Sequence, residues 1–414
     1  MKPRTFFAAA ALIFLMPVSL LAQVQRQPTE ADSVVTDSGQ IVKRGWARHG
    51  TAPTIWEIMK NIEPATMAGF KKEIPIRLPE RLQNLPAQPE TAQPDPLARP
   101  FLELQAPAAM MSIGGYDSDD NASQFGFRIA PPDTNGDVGI DYYVQYNNLG
   151  WKYWNKDTGA LVGGPFPGNS FWQSDSFSGP CEDDNAGDPI VLFDRAAQRW
   201  IFSQFVDPNA NVDGHQCFAV TTGSDPAGPY NLYDFTVSTG QFNDYPKIGT
   251  WVPEVGDSAY YLSTNEFAPS FAGVRVTAFD RDEMLAGNAL TSFLQFEIAP
   301  VSTGAFAFSL QPPNSEDGEA SDLSCGRYVQ VYDDDVWGDG VATDGYRFWD
   351  FCPDFDTPGN ASFTELTTVT TSEFNANLCN FGSCIPVPSG PSLQTLSQFS
   401  MYQFNSMRID GTQY

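Results

Sequence analysis

The chain has 414 residues, a formal net charge of −27, six cysteines, 34 glycines and 33 prolines. The charge is uneven: the first 100 residues hold 12 Lys+Arg and 9 Asp+Glu, leaving 11 basic and 41 acidic residues for the remainder. A body this acidic repels nucleic acid and anionic lipid surfaces, which excludes both as expected partners, and the length suits repeated units around a large core.

The N-terminus, Met1 to Arg4, is basic, and an apolar run from Phe6 to Leu21 and then Ala22 follow it. That pattern reads as a signal peptide over residues 1–22, cut after Ala22. The competing reading, a membrane anchor, needs about 20 clean apolar residues, and Pro17 interrupts this run. No later stretch is apolar enough to span a bilayer, so no membrane insertion is expected after cleavage. Residues 23–124 read as an irregular leader. Residues 23–50 are polar and without period. Thr54 to Ile62 makes a short amphipathic helix ending before Pro64, and prolines from Pro75 to Pro107 make an extended linker.

Strand-like sequence begins near Phe125 and continues to the end. Tyr142–Tyr146 and Gly150–Trp154 are two strands, and Lys156–Gly159 is a hairpin turn. The stretch Gly187–Phe235 holds four short strands, at Ile190–Asp194, Arg199–Phe205, Cys217–Thr222 and Gly228–Phe235. They are rich in β-branched and aromatic residues and closed by Gly, Pro, Asp or Asn. Four antiparallel strands in about 45–50 residues make one propeller blade. The logic repeats at Tyr245–Trp251, Ser258–Thr264 and Gly273–Asp280, where a short helix, Arg281–Ala286, follows. It repeats again at Tyr328–Tyr332 and Gly345–Asp350, joined by the acidic turn Asp333–Asp344. After a Pro/Gly-rich break at Pro386–Pro391, Phe399–Phe404 reads as the first strand of a further unit. The expected fold is all-β: over residues 125–414, a propeller-like stack of four-stranded antiparallel blades, incomplete at its end as in a fragment. A β-sandwich is the rival architecture.

Cys181, Cys217, Cys325, Cys352, Cys379 and Cys384 are even in number and lack Cys-x-x-Cys spacing. In an exported chain they suggest disulfides, and proximity favours 181–217, 325–352 and 379–384. With only His49 and His215 available, a zinc site is poorly supported.

Several motifs together resemble a family of large exported bacterial proteins with a propeller-like β-domain and no established activity. They are Pro131–Gly139 followed by Tyr-Tyr-Val-Gln, Gly187–Asp194 with Arg199-Trp200, Asn243–Gly249, and the Cys379–Cys384 loop with Met401-Tyr402. The resemblance covers roughly residues 125–404. It implies fold and compartment, and a chain continuing past this point, but no catalytic residue.

The best candidate for a bound ion is Asp133-Thr-Asn135-Gly-Asp137-Val-Gly139-Ile-Asp141. Oxygen ligands at alternate positions of a tight loop are what calcium takes, and the stretch is similar to the calcium hairpins of integrin-type propellers. Val138 where glycine is usual, and Val144 in place of a bidentate carboxylate, depart from that pattern. A solvated Asx-rich turn is the competing reading. Structural Ca2+ is thus the cofactor to look for, with Asp117–Asn121 and Asp333–Asp344 as weaker loops.

Nucleophilic catalysis would have to be built on His215, which reads as a surface turn residue. A sialidase-type site would recruit arginines from Arg195, Arg199, Arg275, Arg281, Arg327 and Arg347. Trp151, Trp154, Trp172, Trp200, Trp251, Trp337 and Trp349 could stack on sugars, but such residues more often pack between blades. The sequence therefore points first to an exported, non-catalytic binding or scaffold protein of the envelope or extracellular space, with a glycan or protein ligand. The alternative is a carbohydrate-active hydrolase, sialidase-like or another propeller glycosidase, which needs two carboxylates. Nothing in the sequence sets an oligomeric state.

Overall fold

The computed structural model describes residues 32–62, 111–129, 131–174, 176–207, 212–300, 307–334, 343–376, 383–386, 392–394, 399–400 and 402–413. The expected signal peptide and the Pro-rich linker from Pro75 to Pro107 lie outside these residues.

The described chain enters as three strands, β1 (Asp32–Val35), β2 (Ile41–Trp46) and β3 (Arg48–Ala52). Helix α1 (Ile55–Met59) follows, started by a capping box in which Thr54 and Glu57 satisfy each other's backbone amides. Helix α2 (Ser118–Phe125) comes next, with Asp117 as N-cap and Gly126 in the left-handed conformation at its end. Asp117–Asn121, weighed above as a calcium loop, is thus the first turn of a helix. Its aspartates are used as cap and first-turn charge.

Then the sheets begin. The first holds β4 (Thr134–Val138), β5 (Tyr142–Asn147), β6 (Gly150–Asn155) and β7 (Leu161–Pro167). The short helix α3 (Pro180–Asp183) leads to the second, β8 (Ile190–Asp194), β9 (Arg199–Phe205), β10 (Gly214–Thr221) and β11 (Tyr230–Ser238). The third has β12 (Phe242–Trp251), β13 (Ala259–Phe267), β14 (Phe271–Asp280), helix α4 (Arg281–Ala286) and β15 (Ser292–Ile298). The fourth follows β16 (Pro313–Ser315) with β17 (Gly326–Tyr332), β18 (Gly345–Cys352), β19 (Ser362–Glu365) and β20 (Val369–Thr370). After a small hairpin, β21 (Ser383–Ile385) with β22 (Leu393–Gln394), strand β23 (Phe404–Ser406) lies parallel to β16. The expected strand at Phe399–Phe404 therefore begins later than the sequence suggested.

Successive antiparallel meanders stacked face to face make the fold all-β and propeller-like. Aromatic rings fill each seam. Between the first and second sheets Trp151 meets Phe202 at 4.9 Å, between the second and third Phe235 meets Phe279 at 4.5 Å, and between the third and fourth Phe296 meets Phe351 at 5.2 Å. Trp151, Trp154, Trp172, Trp200, Trp251 and Trp349 are all buried, so they are packing residues and not a sugar platform. Trp337 lies outside the described residues.

The irregular leader expected before residue 124 is corrected over residues 32–52. Strand β3 pairs with β11, the outer strand of the second sheet, and β2 pairs with β15, the outer strand of the third. One short segment thus clasps two blades. Gly45 is needed there, because a Cβ would come within 2.5 Å of the Phe293 ring. The first sheet ends instead on β7, where Pro165 and Pro167 cannot donate to a further strand.

Two of the expected disulfides are present. Cys181–Cys217 ties α3 to β10, and Cys325–Cys352 ties β18 to the residue ahead of β17. The third pair involves Cys379, outside the described residues.

Candidate functional site

The innermost strands β4, β8, β12 and β16 run around the axis in sequence. Side chains link them where no backbone ladder does. Asn135 Oδ1 accepts from the Val191 amide at 2.6 Å, and Asp137 Oδ2 from the Phe193 amide at 2.7 Å. Asn314 Oδ1 accepts from the Thr250 amide at 3.2 Å. These strands define two ends: an entry end, where each begins, and an exit end, where each stops.

These contacts locate the calcium candidates. Thr134–Val138 is strand β4, not a loop, and Asn135 and Asp137 give their oxygens to β8. Asp137 also meets Arg195 at 3.2 Å. Asp133 sits just ahead of the strand and accepts from Asn148 Nδ2 at 2.9 Å. Gly139 and Asp141 lie beyond it, where the Gly139 carbonyl accepts from Lys156 Nζ. Asp133 and Asp137 therefore lie at opposite ends of β4. Among the described residues, the acidic side chains whose oxygens lie within 4.8 Å of one another are Asp333, Asp334 and Asp344, at the turn after β17. Their carboxylates are in use: Asp333 accepts from the Ala376 amide at 2.6 Å, and Asp344 from the amides of Asp334 and Phe374.

Left-handed backbone recurs shortly ahead of β4, β8 and β16 and, in the third sheet, inside the first half of β12. Asp133 and Asp188 both have φ 43°, Tyr245 has φ 54° and Ser309 has φ 53°. Aspartate tolerates this conformation, whereas for a bulky tyrosine it is costly and characteristic of functional sites. Gly187 prepares the second of these turns. Its own φ is 107°, and a Cβ there would meet Asn148 Oδ1, the amide that also holds Asp133. The register of β12 slips between Asp244 and Lys247, a bulge that re-aims both side chains and Tyr245 between them.

Lys247 is the centre of this end. Its ammonium lies 3.7 Å from the Tyr245 ring centroid and 5.8 Å from that of Tyr402, and it donates to the Pro246 carbonyl at 3.0 Å. Burial pulls its pKa below the usual lysine range, while Asp188, Asp133 and Asp244 pull the other way. The Tyr245 phenol is pushed up, first by burial and then by the same three carboxylates. Charges from three consecutive blades thus act on one phenol and one ammonium.

Tyr402 lies beneath, donating to the Ile248 carbonyl at 2.7 Å. Beyond it the exit end is closed by ion pairs. Arg195 bridges Asp137 at 3.2 Å and Glu316 at 2.8 Å. Burial raises the Glu316 pKa against the pull of Arg195. Deeper between the second and third sheets, buried Asp194 accepts from Arg281 at 2.7 Å and from the Tyr260 hydroxyl at 2.9 Å.

The arginines do not converge. Arg275 pairs with Glu297, Arg327 with Asp350 and Arg347 with Glu365, while Arg199 donates to the carbonyls of Ala197 and Gln198. A sialidase-type carboxylate clamp from these six is therefore not built. His215 is corrected as well. It lies on β10, buried, with Nδ1 2.6 Å from Asp234, and Arg48 is 3.5 Å from that carboxylate. Among the described residues no serine, threonine or cysteine hydrogen bonds its ring, so no nucleophile completes a triad.

Asp188, Asp244, Tyr245 and Lys247 were not among the sequence candidates. Their signal was present: an aspartate next to a proline or one residue short of it, at 133, 188 and 244, recurs after 55 and 56 residues.

No family model and no curated protein matches the chain. Among solved structures it is similar to a protein assigned as an exo-β-1,3-galactanase from Bifidobacterium bifidum. Identity is 13%, coverage is 63% of this chain and 92% of that one, and the TM-score is 0.30. It is also similar to an exo-β-1,3-galactanase from Clostridium thermocellum, at 12% identity, 61% and 63% coverage and a TM-score of 0.24. An exo-1,5-α-L-arabinanase from a bovine ruminal metagenomic library aligns at 8% identity, 64% and 96% coverage and a TM-score of 0.26. All three are named for glycan hydrolysis. The first expectation from sequence, a non-catalytic binding or scaffold protein, is corrected on this finding.

Proposed function

We propose that the chain is an exported carbohydrate-active hydrolase whose site is the entry end of the propeller axis. One arrangement carries the reading: Asp133 and Asp188 hold left-handed backbone just ahead of β4 and β8, and Asp244 sits at the β12 bulge with Tyr245 and Lys247, so three consecutive blades each bring an aspartate to the start of an inner strand. Gathering like charges in one place is costly for folding and is a mark of sites that move protons. Glycoside hydrolysis needs this kind of set. One carboxylic acid protonates the leaving oxygen, and a second carboxylate activates water or attacks the anomeric carbon. The two disulfides support an oxidising compartment. The motifs quoted above support membership of the exported bacterial family they resemble.

The test is release of reducing ends from a panel of aryl glycosides and polysaccharides that includes β-1,3-galactan and α-1,5-arabinan. Turnover by the native chain, lost in Asp133→Asn and Asp188→Asn variants that keep their melting temperature, supports the reading. Glycan binding without turnover at any pH would overturn it.

A further inference from the structure

We infer that the clasp formed by β2 and β3 is an acid-sensitive latch: protonation of His49 loosens β3 from the outer edge of the second sheet. The inference does not rest on the hydrolase reading. Such a latch ties the union of two blades to the pH around the chain.

The two faces of β3 differ in charge. The strand pairs with β11 so that Arg48 lies opposite Asp234 and His49 opposite Tyr233. Residues directly opposite share a face, and successive residues alternate. Arg48 therefore shares its face with Asp234, 3.5 Å away, and with His215, whose Nδ1 is 2.6 Å from the same aspartate. His49 takes the other face, where its ring centroid lies 5.1 Å from that of Tyr233. Its Nε2 is enclosed and meets no hydrogen-bond partner among the described residues. A neutral imidazole can leave that nitrogen bare, whereas a second proton puts an N–H there with no acceptor. Burial pulls the His49 pKa down accordingly.

Among the described residues, no neighbouring element gives His49 a counter-charge. On β11, the Tyr233 hydroxyl donates to the Met284 carbonyl at 2.8 Å, and burial pushes the phenol up, so it stays neutral. On α4, Glu283 accepts from Asn288, Asp280 caps the Glu283 amide, and Asp282 meets Arg281 and the Ser258 hydroxyl. On β10, His215 is taken by Asp234 on the far face. The clasp itself adds only positive charge nearby, Arg44 over the Trp46 ring and Arg48 beside Asp234. The remaining grip on β3 is neutral or always charged: the Thr51 amide donates to Ser176 Oγ at 3.0 Å, and Arg48 donates to the Ser178 carbonyl at 3.1 Å. A released β3 lets the ring take its proton at the ordinary value of about 6.5, while the docked strand resists it. Docking is therefore at full strength above that value and weakens as pH falls below it.

The test is hydrogen–deuterium exchange of the full chain at pH 7.5 and pH 5.5, read by mass spectrometry and corrected for the intrinsic pH dependence of exchange. The native chain is compared with His49→Phe, His49→Gln and His215→Gln. In the native chain the peptide covering β3 should open about 3- to 10-fold more often at the lower pH, up to the limit that one proton of ordinary pKa allows. Peptides from β13 should not change. His49→Phe keeps a ring against Tyr233 and should abolish the difference. His49→Gln, also neutral, should do the same and carries the test if His49→Phe does not fold. His215→Gln should retain the difference. Equal protection of β3 at the two pH values in the native chain, or a difference that survives in a folded His49 variant, would overturn the inference. Loss of the difference in His215→Gln but not in the His49 variants would assign it to the Asp234 pair and overturn the inference equally.

Discussion

The two ends of the axis use the same residue types in opposite ways. At the exit end, acid and base are matched across blades: Arg195 spans Asp137 and Glu316, and Arg281 spans to Asp194. At the entry end, among the described residues, Asp133, Asp188 and Asp244 face a lysine and a phenol. Matched charges tie sheets together and can be swapped for other well-packed groups with little change in function. Like charges brought to neighbouring strand starts cost folding energy, and such gatherings are characteristic of sites of chemistry. The contrast teaches that an acidic propeller need not be acidic for one reason, and that its axis separates the reasons.

Perturbing the two ends should therefore give different phenotypes. The largest effect belongs to the entry end. Asp133→Asn and Asp188→Asn should each lower kcat/KM by about 10²–10⁴-fold, the range for loss of a general acid or base, with melting temperature unchanged. At the exit end, Arg281→Met strands the buried Asp194 carboxylate and should destabilise by about 3–5 kcal/mol in urea unfolding. Any turnover measured below its unfolding midpoint should stay native. Arg195→Met removes a partly exposed pair of bridges and should cost less, roughly 1–3 kcal/mol after allowing for solvent screening. Were Arg195→Met to abolish turnover at full stability, the division between the ends would fail.

The smallest effect sharpens the contrast by pH. Asp280, the N-cap of α4, has its pKa raised to about 6, chiefly by burial. A carboxyl whose folded pKa is raised stabilises the fold while protonated. That contribution is full below the unfolded value of about 4 and is lost as pH rises to about 6. Stability should accordingly fall by roughly 1–2 kcal/mol across this window and level off above it, less than the about 3 kcal/mol of a full two-unit shift because water screens this partly exposed group. Asp280→Asn keeps a good cap and should flatten the profile, leaving the variant the more stable protein at pH 7. A pH profile identical to the native one would refute this.

How much of this could be read beforehand depends on what each residue leans on. The strands of the second sheet carry their own signal, because Ile190–Asp194 and Arg199–Phe205 are continuous β-formers between turn residues. Strands β2 and β3 do not. Lys43, Arg44, Arg48 and His49 look like loop sequence, and they are strands because β15 and β11 offer open edges far along the chain. Asp117 and Asp133 illustrate a second limit. An Asx oxygen serves a helix cap, a strand mouth or a cation equally well, and only the backbone decides which. His215 looked exposed because Asp234, the partner that makes burial tolerable, lies on the next strand. The carboxylates at the mouths are single residues 55 and 56 positions apart, so each blade shows one aspartate and none shows a site.

The most direct test compares one residue from each end in a single assay. Reducing-end release and melting temperature are measured together for the native chain, Asp188→Asn and Arg195→Met. The account predicts glycan cleavage by the native chain, its loss in Asp188→Asn without a fall in melting temperature, and the reverse in Arg195→Met. Native chain that cleaves no glycan, or Asp188→Asn that cleaves as fast as the native chain, would contradict it.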